Sequence, residues 1–341
     1  MKVVCHPDQR QHYPAHFLVN GVFQPNPEMP ERQDRLLQAA LDAGCRHEAP
    51  LAHGMEAIAA IHTDAYLHFL ERAWERWSRI EGAAPAVTPN IHPDRRDCGY
   101  PASVVAQAGY HMADASAPLA DGSWASILWS AWSAVHATRL LLDGEAAAYA
   151  LCRPPGHHAF ADMAGGFCYL NNAAIAAQML RRAHQRVAIL DVDLHHGNGT
   201  QGIFYRRGDV LTVSIHADPE RFYPFFWGYA NETGAEAGEG CNLNLPLPRG
   251  TGDVGWLAAL DSSIRRIQDF APGALVVALG LDAFEGDPFG GLRLTTRGFG
   301  EIGRRIAAEL PLPTLLVQEG GYLCADLGRN LATFLEGFGN G

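Results

Sequence analysis

Val187-Ala-Ile-Leu-Asp-Val-Asp-Leu-His-His-Gly-Asn-Gly-Thr-Gln201 sets a short apolar run ahead of Asp191, Asp193, His195 and His196, and Gly197 and Gly199 then break it. A run of this length bounded by glycine reads as a buried strand of a parallel sheet. Its polar tail falls at the strand's carboxyl end, where open α/β sheets place their ligands. On extended backbone Asp193 and His195, two residues apart, point the same way. Carboxylate oxygen with imidazole nitrogen suits zinc or another divalent first-row metal. The competing reading is a strand that ends in a solvated polar turn.

Two further stretches favour the metal. Arg153-Pro-Pro-Gly-His157-His158 follows the apolar run Ala148–Cys152, and its Pro-Pro-Gly can fix two adjacent imidazoles on irregular backbone. Leu275–Asp282 is another buried-strand pattern, ending in a lone acid. Asp282 completes an Asp193/His195/Asp282 set, and three protein ligands with one open position is the catalytic rather than the structural zinc pattern.

R-P-P-G-H-H from Arg153, G-F-C-Y-L-N-N from Gly166, D-V-D-L-H-H-G-N-G-T from Asp191, G-L-D-A-F-E-G-D-P from Gly280 and E-G-G-Y from Glu319 stand in this order along the chain. Together they resemble the zinc-dependent histone deacetylase superfamily, and within it the bacterial acetylpolyamine amidohydrolases. The chain length, an extended N-terminal loop, F-F-W-G-Y from Phe225 and N-L-N-L-P-L-P from Asn242 point to that branch. The first hundred residues contribute little beyond His62-Thr63-x-x-Tyr66.

The resemblance implies an arginase/deacetylase-like α/β domain over residues 1–341, hydrolysing an amide by metal-activated water attack. It makes His158 the principal general base and acid. His157 takes a proton-relay position beside Asp191, which holds one tautomer. Tyr322 becomes the oxyanion donor, and Phe167, Tyr223 and Phe289 the channel lining, with Tyr223 exchangeable for the adjacent Phe222. The expected partner of His158 is Asn198, where class I histone deacetylases carry an acid. An amide lacks the charge that would raise the histidine pKa, so His158 should be neutral near pH 7. A buried potassium site would use Asp191, Asp193, His195, Ser214 and Ile215, and a second Phe204, Arg207, Val210 and Cys241. Zinc is the expected ion, with iron or cobalt as alternatives.

Composition narrows the partners. The net charge of −11 argues against nucleic acid and suits a small cationic acetylated amine by steering. Seven scattered cysteines, none in a C-x-x-C pair, fit neither a disulfide framework nor a zinc finger and favour a reducing cytoplasm. No stretch reaches the roughly 18 apolar residues of a membrane span, and the N-terminus lacks the apolar core of a signal peptide.

Element by element, Lys2–Cys5 reads as a strand and 8–32 as a long loop. By resemblance that loop borders the active site and makes homodimer contacts. Helices are predicted over Arg32–Ala43, Asp64–Trp77, Trp124–Leu142, Ala173–His184, Val254–Phe270 and Arg297–Glu309. Strands are predicted over Val187–Asp193, Val210–His216, Leu275–Gly280 and Thr314–Gln318. Residues 88–99 and 218–240 read as loops. The three tryptophans Trp124, Trp129 and Trp132 read as core packing. The alternation implies a mostly parallel sheet with helices on both faces. Asp114 or Glu28 is a candidate contact for a distal ammonium, while His196, His216 and Asp218 read as structural. Other readings are a protein acyl-lysine deacetylase, a two-manganese arginase-like hydrolase, and a non-catalytic metal-dependent binding protein.

Overall fold

The computed structural model describes residues 1–19, 21–95, 97–339 and 341. Positions 20 and 96, inside the two N-terminal stretches read as loops, lie outside the described residues. Its centre is a sheet of eight parallel strands in the order β4-β1-β5-β10-β9-β6-β7-β8. These are β1 Lys2–Val4, β4 Arg46–Glu48, β5 Ala147–Ala150, β6 Val187–Asp191, β7 Val210–Ala217, β8 Asn242–Leu247, β9 Ala274–Leu279 and β10 Thr314–Gln318. An antiparallel hairpin of β2 His16–Val19 and β3 Val22–Pro25 stands apart.

Successive strand residues feed opposite cores, which is why strands such as Ala274–Leu279 are apolar throughout rather than alternating. Val187, Ile189, Val276, Ala278, Leu315 and Val317 face one core, closed by α2 Glu56–Ala59, α3 Asp64–Trp77, α4 Val104–His111, α5 Ser123–Leu142 and α6 Asn172–Leu180. Ala188, Leu190, Leu275, Val277, Leu279 and Leu316 face the other, closed by α1 Pro30–Asp42, α8 Asp253–Phe270, α9 Thr296–Glu309 and α10 Leu327–Gly339. The short α7 Asn198–Phe204 follows the metal-type motif. Burial at Tyr66, Phe69, Leu70, Ala73 and Trp77 gives α3 its helical spacing.

Several expectations shift. The helix predicted to His184 ends at Leu180 and tightens into turns that bond Arg182 to Met179 and Ala183 to Leu180. The strand predicted to Asp193 ends at Asp191, because the Asp191 and Asp193 carboxylates each accept the amide two residues on (3.1 and 2.8 Å) and bend the chain. The N-terminal loop holds a 3-10 turn, Pro7–Gln11, and the β2–β3 hairpin. The tryptophans are half-buried: Trp124 and Trp132 pack at the rim of one core, and Trp129 stacks on His6 at 3.6 Å. Strands β4 and β8 and helices α4 and α10 gave no clear signal. The Pro246 of β8 marks a sheet edge, where a missing amide costs nothing.

The chain passes from β5 to β6, runs outward through β7 and β8, and returns to lay β9 and β10 between β5 and β6. Loops leaving the carboxyl ends of five neighbouring strands, β5, β10, β9, β6 and β7, therefore open onto one place.

Candidate active site

Those five loops carry His157 and His158, Glu319 to Tyr322, Asp282, Asp193 to Asn198, and Phe222 with Tyr223. Ligand atoms of Asp193, His195 and Asp282 lie within 4.8 Å of one another, and all three residues are buried. His195 Nδ1 sits 3.3 Å from Asp193 Oδ1 and 3.1 Å from Asp282 Oδ2. The remaining carboxylate oxygens are held by backbone: Gly320 N–H donates to Asp193 Oδ2 (2.7 Å) and Leu194 N–H to Asp282 Oδ1 (2.9 Å).

A Cβ at Gly320 would run into both the Asp193 and Asp282 carboxylates, so the residue must be glycine for the two acids to converge. Two acids this close and this dry repel. Burial and the Asp193 charge both raise Asp282, and the acids in turn lift His195 to about 9 against the burial that lowers it. A divalent cation is the group that relieves this arrangement, and the donor set of two oxygens and one nitrogen fits it. Buried His157, Cys168 and Glu319 also bring ligand-type atoms within 4.8 Å. There His157 Nδ1 is engaged by Asp191 and the Cys168 thiol donates to Gly166 O.

The two adjacent imidazoles have different surroundings. His157 Nδ1 meets Asp191 Oδ2 at 2.9 Å, and its pKa stands at about 10, since Asp191, Asp193 and Glu319 outweigh burial. His158 Nδ1 meets Asn198 Oδ1 at 2.7 Å. Burial, then His157 and His195, hold it well below its ordinary value, with Asn198 opposing only weakly. The backbone of the pair is held from beneath, because Glu319 Oε2 accepts the amides of Gly156 (2.7 Å) and His157 (3.0 Å). Asn171, which caps α6, donates to Ala159 O and Thr200 Oγ1, both at 3.0 Å, and ties the double-histidine loop to α7. His62 accepts the Asn171 amide, and Tyr66 donates to Tyr169 O.

Aromatic rings wall the site. Tyr223 stands edge-on to His158 at 4.9 Å, while Phe222 stacks on His195 at 5.2 Å, so the two neighbours take different places. Phe289 contacts His195 (5.5 Å) and Tyr322 (4.6 Å), and Phe167 contacts Tyr322 at 5.9 Å. Phe167 holds φ 67°, a left-handed conformation that costs a residue with a Cβ about 1–3 kcal/mol.

Other supporting groups gave little warning in the sequence. Phe17, from the hairpin, packs on Phe167 at 5.3 Å. The Asp287 carboxylate accepts the Phe289 and Tyr322 amides, both at 2.9 Å. The Arg32 guanidinium lies 4.9 Å over the Tyr322 ring and donates to Gly321 O and Glu319 O. Asp287 and Glu319 sit inside quoted motifs, whereas Phe17 and Arg32 touch the site from 150 to 290 positions away with no local signal.

Glu28 is corrected. It is buried away from solvent, bonding Arg32 Nη1 at 2.6 Å and Arg153 Nε at 3.0 Å, and so cannot meet a substrate ammonium. Asp114 instead accepts the Tyr223 hydroxyl at 2.7 Å. Glu28→Gln leaves two dry guanidiniums short of a counter-charge and should destabilise the fold by about 3–5 kcal/mol. A urea unfolding midpoint equal to wild type would show that this ion cluster contributes nothing. His196 and His216 bond Gln201 and Ser214, and Asp218 caps a 3-10 turn. Ser214 pairs with Asp191 across β6 and β7. Arg207 packs over Phe204 (5.1 Å) and bonds Asp209, beside Val210.

The histone deacetylase domain family matches residues 26–338. The chain belongs to this family. It is 47% identical to the acetylpolyamine amidohydrolase of Burkholderia pseudomallei over 99% of both chains. It is 46% identical to acetylpolyamine amidohydrolase 1 of Pseudomonas aeruginosa, over 97% of this chain and 96% of that one. A crystal structure of the acetylpolyamine aminohydrolase from Burkholderia pseudomallei superposes with a TM-score of 0.97 at 47% identity, covering 99% and 98% of the two chains. More distantly, the HDA15 HD domain gives 0.79 at 26% identity, over the whole chain and 90% of that domain. The deacetylase fold expected from the motifs is thus the fold observed. Among the described residues no helix is long and apolar enough to cross a membrane.

Proposed function

We propose that the chain is a zinc-dependent amidohydrolase that deacetylates acetylated polyamines or similar small amines, working as one catalytic domain in the cytoplasm and as a homodimer. The observation that carries this reading is the convergence of Asp193, His195 and Asp282 beside His158 and the Tyr322 cluster at the base of an aromatic slot. Relatives named for acetylpolyamines across nearly the full length support the substrate class.

Asp193, His195 and Asp282 would hold the zinc ion, with iron or cobalt as alternatives. When bound, such an ion polarises the scissile carbonyl and lowers the pKa of water. The protein's residues do the rest. His158, its Nδ1 turned to Asn198, keeps Nε2 free to take a proton from the attacking water and deliver it to the leaving amine. His157 keeps its proton on Asp191 and holds positive charge next to the site. Burial keeps the Tyr322 phenol neutral through the physiological range, so it donates to the developing oxyanion. Phe167, Tyr223 and Phe289 exclude water around an alkyl chain, and the net charge of −11 draws a cationic amine. Potassium ions would be structural, one near Asp191, Asp193, His195, Ser214 and Ile215 and another near Phe204, Arg207 and Val210.

The deciding experiment compares zinc- or cobalt-loaded protein on acetylputrescine, acetylcadaverine, acetylspermidine and an acetyl-lysine peptide. Faster turnover of the small amines is expected. Preference for the peptide would move the assignment to protein deacetylation, and inactivity on all four would remove both.

The pH profile tests the base. With its folded pKa depressed, His158 stays neutral as pH falls past 6.5, and kcat/KM declines only when pH drops through that lowered value. Asn198→Asp sets an anion on Nδ1, raises the pKa and should carry the acid limb about one unit higher. An unmoved limb would take the base role away from His158.

A further inference from the structure

Asp114 lies outside every motif that carries the chemistry, yet its carboxylate reaches both sides of the slot. On one side the Tyr223 hydroxyl donates to Oδ2 at 2.7 Å. On the other, the Gly166 amide, which leads directly into Phe167, approaches both oxygens at 3.3 and 3.4 Å. Ser116 N–H holds Oδ1 at 2.8 Å.

The segment carrying Asp114 is itself pinned to the opposite loop. Ala113 N–H donates to Ala164 O and Ala164 N–H to His111 O, both at 2.7 Å. The Gly165–Cys168 turn closes on itself with two backbone bonds of 3.1 and 2.8 Å, so Phe167 cannot move without the Gly166 amide. There is no slack to absorb a shift: a Cβ at Gly166 would run into the His158 ring and come within 2.9 Å of the Tyr223 hydroxyl.

We propose that Asp114 is a positioning residue that sets the width of the slot beside His158, tying the Tyr223 wall to the Phe167 wall and so restricting the amine chain that passes between them to an unbranched one. The inference rests on the amidohydrolase reading and adds to it the residue that determines which amine chain enters. Tyr223 differs from a phenylalanine there in one atom, the hydroxyl, and that atom is spent on Asp114. Without the carboxylate, the ring edge that meets His158 at 4.9 Å is free to swing and the slot widens.

The test compares kcat/KM for N-acetylputrescine and for its analogue with a methyl branch on the carbon next to the amide nitrogen in wild type, Asp114→Ala, Asp114→Asn, Tyr223→Phe and the Asp114→Ala/Tyr223→Phe pair, with Tm measured for each. Asp114→Ala should lower the straight-to-branched ratio about tenfold, mainly through a higher KM for the straight substrate. Tyr223→Phe should lower it in the same direction. The double variant should be no worse than Asp114→Ala, because the hydroxyl acts through that carboxylate. Asp114→Asn, which keeps an acceptor for the phenol, should recover the ratio to within about threefold. The Tm changes of the two single variants should likewise be non-additive.

An unchanged ratio in Asp114→Ala, or additive effects in both ratio and Tm, would overturn the proposal. So would an intact ratio with lost preference for cationic over neutral acetylated amines, which would make Asp114 an ammonium contact. If Asp114→Ala fails to fold, an unchanged ratio in Tyr223→Phe overturns it alone. Wild-type inactivity on both amides would defeat the amidohydrolase reading itself, and this inference with it.

Discussion

Asp193→Ala or Asp282→Ala is expected to give a folded protein that binds no stoichiometric divalent metal. Each variant leaves two of the three proposed protein ligands. The oxygens beside the gap are already committed to the Gly320 and Leu194 amides. Folding should survive loss of Asp282, because in metal-free protein burial and the Asp193 charge both raise its carboxyl and disfavour its ionised form. Removing Asp282 relieves that repulsion, so metal-free Asp282→Ala should match or exceed the Tm of metal-free wild type. Asp193→Ala should melt lower, because, against burial, His157 and His195 hold the Asp193 charge below the ordinary carboxylate range, and its loss leaves them and the Gly320 amide without that partner. Elemental analysis after dialysis checks the first claim and thermal unfolding the second. Full metal occupancy in either variant would refute the ligand set.

Tyr322→Phe should keep its metal and its fold yet lose about 10²–10³ in kcat, the range seen when a single oxyanion donor is removed. The variant deletes one oxygen and leaves the ring between Phe289 at 4.6 Å and Phe167 at 5.9 Å, under the Arg32 guanidinium. Its backbone stays fixed by Asp287. Because the packing is unchanged, a rate loss reports the hydroxyl alone, whereas a rise in KM at constant kcat would assign it to ground-state binding. Turnover equal to wild type would remove its proposed role.

Much of this centre is local, and local signals are readable. Buried parallel strands need continuous apolar runs, so Val187–Asp191, Ala274–Leu279 and Thr314–Gln318 stand out with polar residues just beyond them. Strand ends beyond those runs were misplaced by two residues at Asp193, because side-chain bonds to the following amides, not residue type, stop the strand. The edge strand Arg46–Glu48 carries no apolar signature, because two of its three residues are exposed.

The sequence by itself determined the chemistry available: two acids and a histidine at strand ends, a pair of adjacent imidazoles, a tyrosine after two glycines, and an amide rather than an acid at position 198. These follow from residue identity and short spacing. Only the tertiary structure decided how those groups are held. Glu28, read as a mouth acid, is sealed between Arg32 and Arg153, and Arg32 crosses from the first helix to lie over Tyr322. Phe222 and Tyr223, indistinguishable in one dimension, take His195 and His158 separately. Asp114 meets a hydroxyl 109 positions away. Such contacts join residues whose separation along the chain carries no periodicity, and they exist only once the strand order has folded distant loops onto one edge of the sheet.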